Sequence, residues 1–170
     1  AADRVPAVTH GPEDSAAALA TLHDTAELIR FARLGLPVQA MAWRACVRAN
    51  TEVNGDDYPQ TLQSLAALGK TLLSVLAQKK DEIHEGVEGE EGGRGGNEGD
   101  GTAAVETLSV FTRALACSQK QHGALHPTTL SIVDTLASLT ERAGDLTRAE
   151  QWLERSVRNA QLLFGPRDPR

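Results

Sequence analysis

His122 and His126 stand four residues apart, the spacing at which a helix presents two imidazoles to one metal ion. Gly123 and Pro127 make that segment a turn, and no third ligand follows. No metal site is expected, and His126 reads as part of the turn. Cys46 and Cys117 are the next reactive groups. Neither has a C-x-x-C neighbour and both fall in helical pattern, so they read as small reduced core residues of an intracellular, reducing compartment. His10 and His84 sit in stretches expected to be flexible, and His23 has no partner legible in the sequence. The glycines of 86–101 lack the preceding strand and the following Lys-Ser/Thr of a phosphate loop. Trp43 and Trp152 hold matching places in a repeated pattern, which points to packing rather than cofactor stacking. With no nucleophile–base arrangement either, the chemistry-bearing side chains predict no enzyme and no cofactor.

The elements that carry these residues are set out by a recurring punctuation mark. It reads Gly55-Asp56-Asp57-Tyr58-Pro59-Gln60-Thr61-Leu62, then Gly123-Ala124-Leu125-His126-Pro127-Thr128-Thr129-Leu130, then Gly165-Pro166-Arg167-Asp168-Pro169, with a degenerate copy at Gly11. The last two glycines are 42 residues apart, the first two 44 and the middle two 68. A period of this size is the signature of stacked repeats, which are binding scaffolds more often than catalysts. The long middle interval has a compositional cause. Residues 81–101 hold eight of the fifteen glycines and eight acids against Arg94 alone. Such a stretch buries too little apolar surface to offset its ordering entropy and is expected to be disordered. Removing roughly 26 residues restores the period. The insert is expected to be a spacer in the loop between two helices, an acidic tether for a basic partner being the other reading.

The net charge of −6 falls to +1 once the insert, at −7, is set aside. A balanced body of this kind gives no clustered Lys/Arg footprint for nucleic acid. No apolar run approaches the roughly 20 residues of a membrane span, and the first ten residues lack the layout of a secretory signal. Alanine and leucine dominate while aromatics make up 4%. That balance favours close-packed helices over strands.

Each unit reads as two helices. In the third, Pro127 opens a helix with Leu130, Val133, Leu136, Ala137 and Leu139 on one face, and Gly144-Asp145 breaks it. A second helix is predicted from about Thr147, capped by Thr147 and Glu150, with Ala149, Trp152, Leu153, Val157, Ala160 and Leu163 on its apolar face. In the second unit, Leu62, Leu65, Leu68, Gly69 and Leu72 line one helix, and Thr107, Val110, Phe111, Ala114 and Leu115 the other. The first unit is looser. Its first helix is predicted over 15–33, and Gly35, Ala40 and Trp43 mirror Gly144, Ala149 and Trp152. The expected organisation is a leader at 1–10, repeats at 11–54, 55–122 (interrupted by 81–101) and 123–164, and at 165–170 the start of a further repeat or the end of the chain.

These residues resemble the tetratricopeptide repeat, in the long form of roughly 42 residues found in kinesin light chains. The large-then-small pair of the first helix matches Leu136-Ala137 and Leu68-Gly69, with Ala26 in the small position of the first unit. The small positions of the second helix match Ala149 and Ser156, Thr107 and Ala114, and Ala40 and Cys46. The octamers at 55–62 and 123–130 carry the light-chain character. HEAT or armadillo helical pairs are the structural alternative. The slots where light-chain repeats often carry paired asparagines hold Ala66-Ala67 and Asp134-Thr135, so the resemblance implies the architecture and not light-chain cargo.

What the resemblance implies is an all-α fold, a right-handed α-solenoid of about three helix–turn–helix repeats whose first helices line a concave surface. Carried over by register, the partner-binding groove comprises His23, Glu27 and Arg30, then Gln63, Lys70 and Ser74, then Ser131, Asp134, Ser138, Glu141 and Arg142. An ordinary solvated helix face has the same pattern. The expected function is a protein–protein interaction scaffold that takes a peptide or helix of a partner in that face. The alternative is a structural subunit embedded in a large assembly, cytoskeletal or motor-associated, without a dissociable ligand. Either belongs in the cytoplasm or on the cytoskeleton, with protein partners, no nucleic acid and no membrane insertion.

Overall fold

The computed structural model describes residues 12–85 and 98–165. Six α-helices account for nearly all of them: α1 (Pro12–Phe31), α2 (Leu36–Asn54), α3 (Pro59–Glu85), α4 (Glu98–His122), α5 (Pro127–Arg142) and α6 (Leu146–Phe164). No strand occurs among the described residues. Pro12, Pro59 and Pro127 each open a helix, where the missing N–H would have no intrahelical partner. Consecutive helices pack together, α1 on α2 and so on to α5 on α6. One apolar core runs from Ala26 in α1 to Leu139 in α5, with Leu22 and Trp152 packed against it.

The recurring octamer is turn chemistry. Gly55 and Gly123 close α2 and α4 at φ 86° and 89°, a left-handed conformation that costs glycine nothing. Six residues on, Thr61 Oγ1 donates to the Gly55 carbonyl at 2.8 Å, and Thr129 Oγ1 donates to that of Gly123 at 2.8 Å. Both threonines are fully buried. The same spacing thus ties each first helix to the turn before it. Buried polar pairs then lock neighbouring helices. Asn50 Nδ2 of α2 donates to Ser64 Oγ of α3 at 3.1 Å, and Ser118 Oγ of α4 meets Thr129 Oγ1 of α5 at 2.8 Å. Bonds of this kind contribute about 1 kcal/mol each, and more is lost when one partner is left alone.

Close packing explains the large-then-small pair in the second unit. A Cβ on Gly69 would stand 2.8 Å from the ring of Phe111 in α4, so only glycine admits that ring.

The structure differs from the sequence reading in four places. Helix enters both ends of the predicted disordered insert, because α3 continues to Glu85 and α4 begins at Glu98. The turns of these helices extend from packed segments, which removes the cost of a new nucleus. Residues 86–97, the leader at 1–10 and residues 166–170 lie outside the described residues. Helix α1, at Pro12–Phe31, starts three residues and stops two residues before the predicted span of 15–33. The cap of α6 is Asp145, whose carboxylate accepts from Arg148 N–H at 3.1 Å, not Thr147. Asp145 precedes the first helical residue and so reaches the third exposed N–H. Finally, Leu153, Val157 and Leu163 of the expected α6 core face are exposed, since α6 packs chiefly on α5.

Candidate functional site

The first half of α1, the end of α2 and the start of α3 enclose a cavity of about 580 Å3. Its polar wall includes His23, Asn54, Tyr58, Gln60 and Gln63, and Leu19 and Val53 provide apolar surface. The Gly55 turn brings these residues together by returning the chain from α2 into α3 beside α1.

Side chains behind the wall hold it in shape. Asn50 is buried, donates to the Cys46 carbonyl at 3.0 Å and to Ser64, and accepts from Asn54 Nδ2 at 3.3 Å. Its hydrogen-bonding capacity is largely used, so it is a strut and Asn54 is the amide it presents. The His23 ring meets Trp43 edge-on, centroids 5.5 Å apart at 75°. Trp43 is buried, and its indole N–H has no hydrogen-bond partner among the described residues. The indole therefore fixes the imidazole by packing. Amide and imidazole groups on a fixed frame can donate and accept in turn, the capacity needed to read a peptide backbone.

The eleven groove residues expected from register lie on α1, α3 and α5. His23 and Gln63 line the cavity. Glu27 and Arg30 form an ion pair along α1. Lys70 and Ser74 are exposed on α3, where Ser74 Oγ donates to the Lys70 carbonyl at 3.1 Å. Ser131, Ser138, Glu141 and Arg142 are exposed on α5. Asp134 is turned to its own hairpin and accepts from Ser156 Oγ of α6 at 2.5 Å. Sequence reasoning missed Asn54, Tyr58 and Gln60. The signal was two asparagines four apart, Asn50 and Asn54, closing an otherwise Ala/Val-rich helix that gains nothing from them by propensity.

Charge pairs brace the frame around this site. Arg44 of α2 holds Glu106 of α4 through two bonds of 2.6 and 2.7 Å. The guanidinium lowers the Glu106 carboxyl below its ordinary range, and that carboxylate raises Arg44 in turn. Arg113 reaches Asp56 at 2.5 Å and Lys120 reaches Asp57 at 2.8 Å, so α4 grips the turn between α2 and α3. The bond to Asp57 raises the Lys120 ammonium.

The other reactive groups have structural places. Cys46 and Cys117 are buried free thiols, both pushed up chiefly by burial, which disfavours the thiolate. His122 and His126 stack at 4.5 Å, and His126 Nδ1 caps α5 by accepting from Thr128 N–H at 3.3 Å. Among the described residues no three His, Cys, Asp or Glu side chains cluster as metal ligands would. No helix described is long and apolar enough to cross a membrane. No model of a known protein family matches the chain, and no curated protein matches it either.

Proposed function

We propose that the chain is a protein–protein interaction module of tetratricopeptide type, taking a peptide segment of a partner protein in the cavity between α1 and α3. The observation that supports this most is the wall itself: His23, Asn54, Gln60 and Gln63 beside apolar Leu19 and Val53, all fixed by α1–α2–α3 packing. Alternating amide donors and acceptors suit a peptide backbone, and the apolar patches suit its side chains. The matching Gly55 and Gly123 turns support the repeat reading. Two buried neutral thiols suit a cytoplasmic or cytoskeletal setting, which is part of the same proposal.

Peptide display against the full chain tests the reading. Selected peptides should bind the wild-type protein and lose about tenfold, ~1.4 kcal/mol, in the Gln60→Ala/Gln63→Ala variant. Thermal unfolding of that variant should stay unchanged, because both residues lie at the cavity surface. Peptides that bind both proteins equally would contradict it.

A structural subunit in a larger assembly is the second reading. The exposed apolar residues of α6, among them Leu146, Leu153 and Val157, favour it, because contiguous apolar surface marks an interface.

A further inference from the structure

Leu146, Ala149, Leu153 and Val157 recur along α6 at steps of three, four and four residues, the spacing of a helix–helix seam. Leu146, Leu153 and Val157 are 69%, 51% and 55% exposed, and Ala149 is the buried floor between them. They line a depression of about 610 Å3 that also touches Glu141 at the end of α5. At about 1.5 Å per residue the seam is roughly 16 Å long, about three turns of helix. Contiguous exposed apolar surface of this kind marks an interaction site. Its lining restricts what can fill it. Among the lining residues Gln161 alone is polar and uncharged. An extended peptide would leave its N–H and C=O groups unmet on such a floor, whereas a helix satisfies its own. The border is acidic. Glu141, Glu150 and Glu154 stand against Arg158, two negative charges in excess. None of the three carboxylates has an ion-pair partner among the described residues. Two other cations of α6 are engaged elsewhere, Arg148 with Asp145 at 3.7 Å and Arg155 over the Trp152 ring at 5.7 Å.

We propose that this face of α6 docks a basic amphipathic helix of a partner protein. The apolar residues of that helix lie in the seam, and its Lys or Arg side chains stand over Glu141, Glu150 and Glu154. The two features divide the work. Burial of Leu146, Leu153 and Val157 supplies the affinity, because those side chains leave water on docking. The carboxylates supply the choice of partner and speed the encounter, since complementary charge acts chiefly on specificity and association rate. An acidic helix would meet the same border with like charge, and so would an anionic lipid surface. The surface is distinct from the peptide cavity between α1 and α3, and the proposal does not depend on that reading.

Fluorescence anisotropy of the full chain with two synthetic helices tests this. One probe is an amphipathic peptide of about 18 residues, long enough to hold a helix, with leucines on one face and lysines flanking them. The other carries glutamate in place of every lysine. The lysine peptide should bind at least about tenfold more tightly, and the gap should shrink with added salt. Glu150→Lys/Glu154→Lys should reverse the preference, and Leu153→Ser/Val157→Ser should lose both peptides. Far-UV circular dichroism of these variants should stay unchanged, because all four residues are exposed. Should the charge reversal unfold the chain, Glu150→Gln/Glu154→Gln replaces it and should abolish the preference. Gln60→Ala/Gln63→Ala should bind the lysine peptide as the wild type does, which keeps this result apart from that of the cavity. Equal binding of the two peptides, binding that survives Leu153→Ser/Val157→Ser, or no binding at about 1 mM overturns the proposal. So does self-association of the chain, or binding to phosphatidylserine vesicles, that Leu153→Ser/Val157→Ser removes, because either names another occupant for the seam.

Discussion

Arg33 ends α1 at φ 53°, with its N–H bonded to the Arg30 carbonyl and the Leu34 N–H to that of Ile29. Gly144 ends α5 with the same pair of bonds, from Gly144 to Glu141 and from Asp145 to Thr140. The first and third hairpins therefore turn alike, with a left-handed residue after the helix, but only one of them uses glycine there. A side chain in that region costs roughly 1–2 kcal/mol, and glycine trades this for the entropy of a freer unfolded chain. Gly144→Ala should lower stability by about 1 kcal/mol, whereas Arg33→Gly should leave it level or raise it by about 0.5 kcal/mol, both read by urea unfolding. A loss in Arg33→Gly as large as in Gly144→Ala would contradict the shared turn. At this scale the sequence misled for a definable reason. Gly35 invited superposition on Gly144, yet its φ is −51° and it caps α2 instead. A glycine marks a turn without saying which residue of it is left-handed.

Helices α2 and α4 are not sequence neighbours, and Arg44–Glu106 joins them across 62 residues. The folded carboxyl titrates below its unfolded value, so the pair's contribution is present above the ordinary glutamate range and is lost as pH falls through the lowered pKa. Both side chains are a third or more exposed, which limits the contribution to about 1 kcal/mol or less. Wild-type protein should exceed Glu106→Gln in stability at neutral pH, and the gap should close below pH of about 4. Equal stability at neutral pH, or a gap that persists in acid, would contradict this coupling. Periodicity made α5 and α6 legible nearly to their ends, because Leu, Ala and Val recur on one face of each. It left the pair between Arg44 and Glu106 invisible, since no local pattern relates residues that only packing brings together. The exposed Leu153 and Val157 have the converse cause. Periodicity identifies a face fit for burial and is blind to whether a neighbour covers it.

The whole molecule is a row of helices in which each packs on the next, and its candidate site lies where three of them meet. That arrangement follows from Gly-Pro-Thr turns between hairpins and short turns within the first and third, which the sequence displayed openly. The site was half legible. His23 and Gln63 came from counting along first helices, whereas Asn54, Tyr58 and Gln60 come from the end of a second helix and its turn. Counting along one class of helix could not reach them. Chemical-shift mapping of the isotope-labelled chain with a display-selected peptide tests the central claim most directly. The account predicts that the largest perturbations fall on His23, Asn54, Tyr58, Gln60 and Gln63. Perturbations confined to Leu146, Leu153 and Val157 on α6 would contradict it and make the exposed end of the row the binding surface.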